Sequence, residues 1–201
     1  DSALGSAVIE KSLRIDQGTS DADSGSNYYR TFGSGNRRIF TMSMWVKKCG
    51  TPGNISDDQY TLFSCGGGGT GSYSGRLNFN TSDQLSFKVN NPAPTTHADV
   101  TTNRKFRDTS SWYHIVFAAD TTQGTSSNRL KLYVNGVQET DLASSTYPSQ
   151  NYELYFNLNV QHRIGSNSIW SDLSRSYGNF NGYIAEFNFI DGTALTPSSF
   201  G

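Results

Sequence analysis

Apolar and polar residues alternate with a period of two in short runs along most of the chain. Because successive side chains of a strand point to opposite faces, this period predicts β-strands. Stretches rich in Gly, Ser, Asn and Pro separate the runs and favour turns. No segment carries an amphipathic helical face longer than a turn or two. The pattern therefore predicts an all-β chain with twelve strands: SLRI, NYYRTF, IFTMSMWVK, YTLFS, RLNFN, QLSFKV, THADVTT, WYHIVFAA, LKLYV, LYFNLNV, HRIGS and GYIAEFNFI.

The alternation is clearest in residues 106–138, which contain two strands that end in different kinds of turn. The first strand has two faces, with Tyr113, Ile115, Phe117 and Ala119 on one and Trp112, His114, Val116 and Ala118 on the other. The second strand has an apolar face opposite a polar one, formed by Leu130, Leu132 and Val134 against Lys131, Tyr133 and Asn135. The Asn135-Gly136 pair then favours the positive φ angles of a tight hairpin. Each strand has one face for a core and one for water.

Composition narrows the architecture and the kinds of partner. Only 34% of the 201 residues are hydrophobic and 20 are glycine, yet 13% are aromatic, which suits a sandwich or barrel built on a few large side chains. A chain of this length can bury one core, so we expect a single domain over residues 1–201. The formal net charge of −1 argues against nucleic acid or a membrane surface as partner. The chain starts without Met and ends just after a strand-like run, so we expect a domain excised from a longer polypeptide.

The two cysteines, Cys49 and Cys65, lie at the far ends of two strand-like runs. A disulfide needs Cα atoms within about 7 Å, and a plain hairpin register would bring Cys49 closer to Tyr60 than to Cys65. We therefore favour two separate thiols over a bridge, and the redox compartment stays open.

Four blocks in this order, FTMSMWVK, WYHIVF, KLYVNG and GYIAEFNFIDGTALTPSSFG, resemble the laminin-G-like, concanavalin-A-like jelly rolls of bacteriophage virion proteins. The resemblance spans nearly the whole chain. It implies an antiparallel two-sheet β-sandwich with jelly-roll topology, located in the virion as part of a tail fibre or decoration protein. We expect its core to contain Phe40, Met42, Val46, Leu62, Leu77, Phe79, Leu85, Phe87, Ile115, Phe117, Leu130, Leu132, Val134, Tyr183 and Phe187.

The outward faces of the predicted strands offer candidate ligand-binding residues. An aromatic ring among amide, hydroxyl and charged groups suits a sugar, because apolar C–H faces stack on the ring while sugar hydroxyls seek directional partners. The strand candidates are Trp45, His114, Lys131, Tyr133 and Glu186. The alternative is that Trp45 and Trp112 are covered as a second small core, since large aromatic side chains are usually buried.

Loop aromatics form a second group of candidates, because recognition residues are often placed on loops held by a rigid scaffold. They are Tyr73 in the glycine-rich loop, Trp170 and Tyr177. The alternative is that each ring packs down and anchors its own loop.

The sequence offers only weak candidates for a calcium site and for a catalytic site. Asp21 and Asp23 are weak metal candidates, because Ca²⁺ needs six to eight oxygen ligands and no bidentate Glu follows at the EF-hand distance. Many sandwiches that resemble this one carry Ca²⁺, so the resemblance retains Ca²⁺ as a candidate cofactor. The E-x-D-x-E motif of concanavalin-A-like glycosidases is absent, and its nearest counterpart has Asn188 two residues after Glu186. We therefore expect that the protein is not an enzyme.

Two functions fit these observations. The first is a non-enzymatic carbohydrate-binding domain of a phage tail fibre, which recognises host cell-surface glycans through weak sites multiplied in a homotrimer. The second is a structural or capsid decoration domain that packs against other virion subunits without binding sugar. An exposed aromatic groove favours binding, whereas a contiguous apolar patch favours assembly.

Overall fold

The computed structural model of the protein describes residues 9–16, 28–50, 60–66, 74–90, 96–167 and 178–201. Two short 3₁₀ turns, Ser126–Asn128 and Pro197–Ser199, are the only helical segments of these residues. The strands are β1 (Leu13–Ile15), β2 (Tyr28–Thr31), β3 (Ile39–Lys48), β4 (Tyr60–Gly66), β5 (Ser74–Phe79), β6 (Gln84–Asn90), β7 (Thr96–Lys105), β8 (Tyr113–Asp120), β9 (Leu130–Val134), β10 (Val137–Gln138), β11 (Leu142–Thr146), β12 (Gln161–Ile164) and β13 (Gly182–Asp191).

In this part of the chain the strands form two antiparallel sheets. The six-stranded sheet has the order β1-β13-β3-β8-β9-β10, and the seven-stranded sheet has the order β11-β7-β6-β5-β4-β12-β2. Their inner faces meet in a continuous apolar core, in which Phe87 of one sheet stacks on Phe117 of the other at 3.9 Å. This confirms the predicted antiparallel two-sheet β-sandwich. All predicted core residues except Tyr183 and Phe187 are buried.

Strand β13 does not keep the simple alternation that its sequence indicates. Its register against β3 shifts between Ala185 and Asn188, and Glu186 within this bulge has a φ of 49°. The bulge changes the phase of the strand, so that Ile184 packs into the core before it and Phe187 packs against the core after it. Tyr183 therefore lies on the outer face, paired with Lys47, and its prediction as a core residue is wrong.

The predicted strand LYFNLNV is also wrong, although its apolar residues are buried as expected for core positions. Leu154 and Phe156 are fully buried, but they lie in an irregular segment between β11 and β12. Asn157 adopts a φ of 66°, which interrupts an extended backbone. The structure instead contains two strands that the alternation did not indicate, the two-residue β10 and the polar β11.

The hairpin and the cysteines agree with expectation. Asn135 and Gly136 have φ angles of 51° and 82°, as a tight β9–β10 turn requires. The Asn135 side chain accepts a hydrogen bond from the backbone N–H of His114 at 2.8 Å, which fixes the turn against β8. Cys49 and Cys65 are free thiols, the first exposed and the second buried. Cys65 lies in β4 and Cys49 follows β3, so the two runs belong to different sheets rather than to one hairpin.

Candidate functional site

The outer face of the six-stranded sheet is partly covered by the C-terminal segment, residues 192–201. The Thr41 hydroxyl of β3 donates a hydrogen bond to the Thr193 carbonyl at 2.7 Å and accepts one from the Leu195 N–H at 2.8 Å. Further along, Phe200 packs against a small apolar cluster formed by Val116, Ala118 and Tyr133. A second small core therefore exists on this face. It consists of Val116, Ala118 and Tyr133 with Phe200 packed against them, whereas the sequence alternative placed Trp45 and Trp112 in such a core.

Trp45 and His114 form a stacked pair beside this cluster. Their rings lie 4.8 Å apart at an angle of 22°. His114 is only 1% exposed and its Nε2 lies 3.0 Å from the Ser43 hydroxyl. Burial lowers the pKa of His114, which keeps the ring neutral. In this arrangement His114 supports the half-buried Trp45 and does not face solvent.

An open groove lies on the same face, between strands β8 and β9 and the C-terminal segment. The groove has a volume of about 250 Å³, and we call it the outer-face groove. One wall is formed by Ala194, Leu195 and Thr196. The floor and the other wall are mainly polar and consist of Ala118, Asp120, Gln123, Asn128, Lys131 and Tyr133.

The loop that forms one end of the groove is held by a dense set of hydrogen bonds. The Asp120 carboxylate accepts hydrogen bonds from Thr122 and from the Gln123 side chain. Burial raises the pKa of Asp120, but these hydrogen bonds outweigh it and the pKa is lowered. The Arg129 guanidinium donates to three backbone carbonyls, those of Gln123, Gly124 and Pro148. The wall of the groove is therefore organised before any ligand arrives.

Three polar side chains of the groove make no hydrogen bond within the described ranges: Asn128, Lys131 and Tyr133. Burial raises the pKa of the Tyr133 hydroxyl, so this group remains a protonated donor at neutral pH. An amide, an ammonium and a phenol together offer both donors and acceptors to a ligand. A ligand with many hydroxyl groups matches this set.

Of the residues predicted from sequence, the outer-face groove brings together Lys131 and Tyr133. Trp45 and His114 stack on each other and do not line this groove. Glu186 is exposed on the bulge of β13 and lines a different, mostly apolar cavity that also contains Lys11. Three predicted loop residues, Tyr73, Trp170 and Tyr177, lie outside the described residues, as do the calcium candidates Asp21 and Asp23.

Sequence reasoning missed Asp120, Gln123 and Asn128. Asp120 is the last residue of β8, and Gln123 and Asn128 lie in the polar connection TTQGTSSN that follows it, which has no periodic signal. The one signal that could have indicated them is their place in the chain. The connection joins β8, which carries His114, to β9, which carries Lys131 and Tyr133.

The described residues contain no group of three or more His, Cys, Asp or Glu side chains placed to hold a metal ion. They also contain no helix with the length and apolar character needed to cross a membrane.

Solved structures share the fold at low sequence identity. A native heptameric pentraxin from Limulus polyphemus superposes with a TM-score of 0.59 at 14% identity, covering 95% of this chain and 80% of that one. Domain 4 of the extracellular arabinanase AbnA from Geobacillus stearothermophilus, in complex with arabinotriose, gives 0.52 at 20% identity with coverages of 92% and 84%. The CBM40 of the Ruminococcus gnavus sialidase bound to α2,3 sialyllactose gives 0.54 at 14%, with coverages of 86% and 93%. At these identities the likeness shows a shared fold.

Sequence comparison gives the family. A search of curated proteins finds no significant match. The family model Laminin_G_3, described as the concanavalin A-like lectin/glucanases superfamily, matches residues 23–199. This match includes all of the described strands except β1, and most of the C-terminal segment. The chain therefore belongs to the Laminin_G_3 family of the concanavalin A-like lectin/glucanases superfamily.

Proposed function

We propose that the protein is a non-enzymatic carbohydrate-binding domain of a phage tail fibre or related virion protein, and that it recognises surface glycans of a bacterial host. The observation that carries this proposal is the outer-face groove, where Asn128, Lys131 and Tyr133 present unused polar groups on a rigid framework. Structures of the same fold in complex with arabinotriose and sialyllactose add support.

The chemistry of the groove suits a sugar better than an apolar ligand. The Tyr133 hydroxyl, the Asn128 amide and the Lys131 ammonium supply directional hydrogen bonds to ligand hydroxyl groups. Ala118 and Leu195 supply apolar surface for the C–H groups of a sugar ring. Because Asp120 and Arg129 already hold the wall, little ordering cost accompanies binding.

The carboxylates of the strand that carries Glu186 favour binding without hydrolysis. A glycosidase needs two carboxyl groups on either side of the scissile bond. The segment that comes nearest to the glycosidase motif contains Glu186, and Asn188 rather than a second acid stands two residues after it. An amide cannot act as nucleophile or general base, so this strand does not supply the pair.

A single open groove of this size favours weak binding, which a fibre strengthens by repetition. Linking several copies raises avidity over the affinity of one site by about 10²–10⁴ when the geometry allows simultaneous binding. A homotrimeric fibre on the virion surface, with host glycan as partner, fits this requirement.

A glycan array probed with a trimerised domain tests the proposal. We expect binding to a subset of bacterial surface glycans, with Tyr133→Phe weakening it because only the groove hydroxyl is removed. Tyr183→Phe is the matched control, since Tyr183 lies on the same sheet but does not line the groove. A folded, trimerised domain that binds no host-relevant glycan, or an equal loss with both variants, would contradict the proposal.

A second function, assembly with other virion subunits, is favoured by a different surface. An apolar cavity of about 190 Å³ opens beside edge strand β2, lined by Phe32, Phe63 and Ile164 among others. At its rim Tyr28 and Tyr29 are 46% and 64% exposed. Exposed apolar surface next to an edge strand is typical of protein contacts. Loss of particle assembly in a Tyr28→Ser, Tyr29→Ser virion with unchanged glycan binding would support this second function.

A further inference from the structure

A second cavity, which we call the side cavity, adjoins the outer-face groove. It has a volume of about 220 Å³ and lies at the side of the sandwich, between strands β9 and β10 of one sheet and β11 of the other. Asn128 and Lys131 line both cavities. The two spaces therefore meet at these two residues.

The pairing of β10 explains why the two cavities can meet. β10 pairs with β9 only at Val134 and Tyr133. One residue beyond β10, the Glu139 N–H donates a hydrogen bond to the Leu132 carbonyl of β9 at 2.8 Å. Among the described strands, none covers the edge of β9 at Lys131. A ligand can thus pass from the outer face around this edge to the side of the sandwich.

The charged side chains along this path differ in whether they already have a partner. Three charged side chains line the two cavities: Asp120, Lys131 and Glu139. The Glu139 carboxylate is paired with Arg104 at 2.9 Å, and the Asp120 carboxylate accepts hydrogen bonds from its own loop. Lys131 has no ion-pair or hydrogen-bond partner within the described ranges. The one unused charge, at the junction of the cavities, is a cation.

We infer that the outer-face groove and the side cavity together bind one acidic oligosaccharide, with its carboxylate against the Lys131 ammonium and neighbouring sugar units on either side of β9. This inference rests on the proposed function and adds the ligand class. A monosaccharide fills one cavity, whereas a chain of several units uses the polar groups of both. Tyr133 and Gln138 then contact sugar hydroxyls on the two sides of the junction.

The test for charge compares acidic oligosaccharides with their carboxyl-reduced, neutral counterparts on the same glycan array. We expect the acidic members to bind, and carboxyl reduction to weaken binding about tenfold, as expected for loss of a charge-assisted hydrogen bond. Lys131→Met should lower binding of the acidic members to that of the reduced ones. Lys105→Met is the matched control, because Lys105 is exposed and lines neither cavity.

The test for length uses Gln138→Ala, which alters an exposed side chain of the side cavity alone. This variant should weaken binding of an acidic oligosaccharide and leave binding of its isolated acidic monosaccharide unchanged. If glycans bind but carboxyl reduction or Lys131→Met has no effect, the acidic-ligand inference fails and the proposed function stands. If no glycan binds at all, both fail.

Discussion

The ammonium of Lys48 lies 2.6 Å from the carboxylate of Asp83, and the Lys48 side chain is fully buried. Lys48 ends β3 in the six-stranded sheet, whereas Asp83 lies in the β5–β6 turn of the seven-stranded sheet. The ammonium also donates to the Phe106 carbonyl at 2.7 Å and lies 4.8 Å from the centre of the Phe79 ring. Burial lowers the pKa of Lys48, and Asp83 opposes that lowering. This ion pair ties the two sheets together.

Asp83→Asn should lower the free energy of unfolding by about 3 kcal/mol, because it leaves a buried ammonium without its counter-charge. Asp83 has a φ of 62°, a conformation that Asn also tolerates, so backbone strain does not add to the loss. Urea denaturation at pH 7 measures the change.

Lys48→Met is the companion variant, with an apolar chain next to the Phe79 ring. It should cost less than Asp83→Asn, because Asp83 keeps a contact with Arg107 at 3.4 Å. The reverse order of the two losses would show that the ion pair is not the dominant contribution.

His162 should make the stability depend on pH. Its Nδ1 donates to the Val160 carbonyl and its Nε2 accepts from the Asn157 N–H, and the second bond requires the neutral ring. Burial lowers the pKa of His162 to about 4, despite the opposing hydrogen bond to Val160. The unfolded chain binds this proton below about pH 6.5, whereas the folded chain binds it only below about pH 4.

Stability should therefore fall as the pH drops from about 6.5 to about 4, by up to about 3 kcal/mol from this one residue. Urea denaturation of the wild type and of His162→Gln across this range isolates the contribution. The variant should start less stable at pH 7 and lose less on acidification. Parallel pH profiles for the two proteins would rule out the assigned role of His162.

The same substitution, threonine to valine, should affect stability differently at positions 41 and 61. Thr41→Val removes the hydroxyl that makes two hydrogen bonds to the C-terminal segment, and it should cost about 2 kcal/mol. It should also speed hydrogen exchange of the Leu195 amide and weaken glycan binding, because Leu195 forms a wall of the groove.

Thr61→Val serves as the matched control. The Thr61 hydroxyl is buried and has no hydrogen-bond partner among the residues that the structure describes, so its removal should be neutral or stabilising. Equal losses for the two variants in thermal denaturation would show that the Thr41 bonds do not hold the segment.

The two thiols should differ in reactivity. Cys49 is exposed, whereas Cys65 is buried and burial raises the pKa of its thiol. A thiol reagent such as Ellman's should modify one equivalent in the native protein and both cysteines after denaturation. Cys49→Ser should abolish the native reaction, and a native Cys49→Ser protein that still reacts rapidly would contradict the burial of Cys65.

The sequence predicted strands well where burial and alternation agree. Ile115 and Phe117 face the core and His114 faces the other way, because one residue of register moves a side chain to the opposite face. It failed for Tyr183, because the bulge at Glu186 depends on the pairing of β13 with β3. It failed for Phe156, whose burial is a property of the core and not of strand geometry.

The candidate site was predictable only in part. Lys131 and Tyr133 follow from the outward face of β9, because alternation assigns faces along a single strand. Asn128 comes from a loop, and Leu195 from a segment distant in sequence that is held by Thr41. No local pattern encodes such contacts, since they arise only when separate segments pack together.

The sequence by itself determined an all-β chain, the core faces of β3, β8 and β9, and the tight turn at Asn135-Gly136, because periodicity and turn chemistry are local properties of the chain. Only the tertiary structure decided that Lys48 meets Asp83 across the two sheets and that Phe200 covers part of an outer face. It also decided that Lys131 lies where two cavities join. Those relationships depend on the free energy of packing distant segments, which no single strand carries.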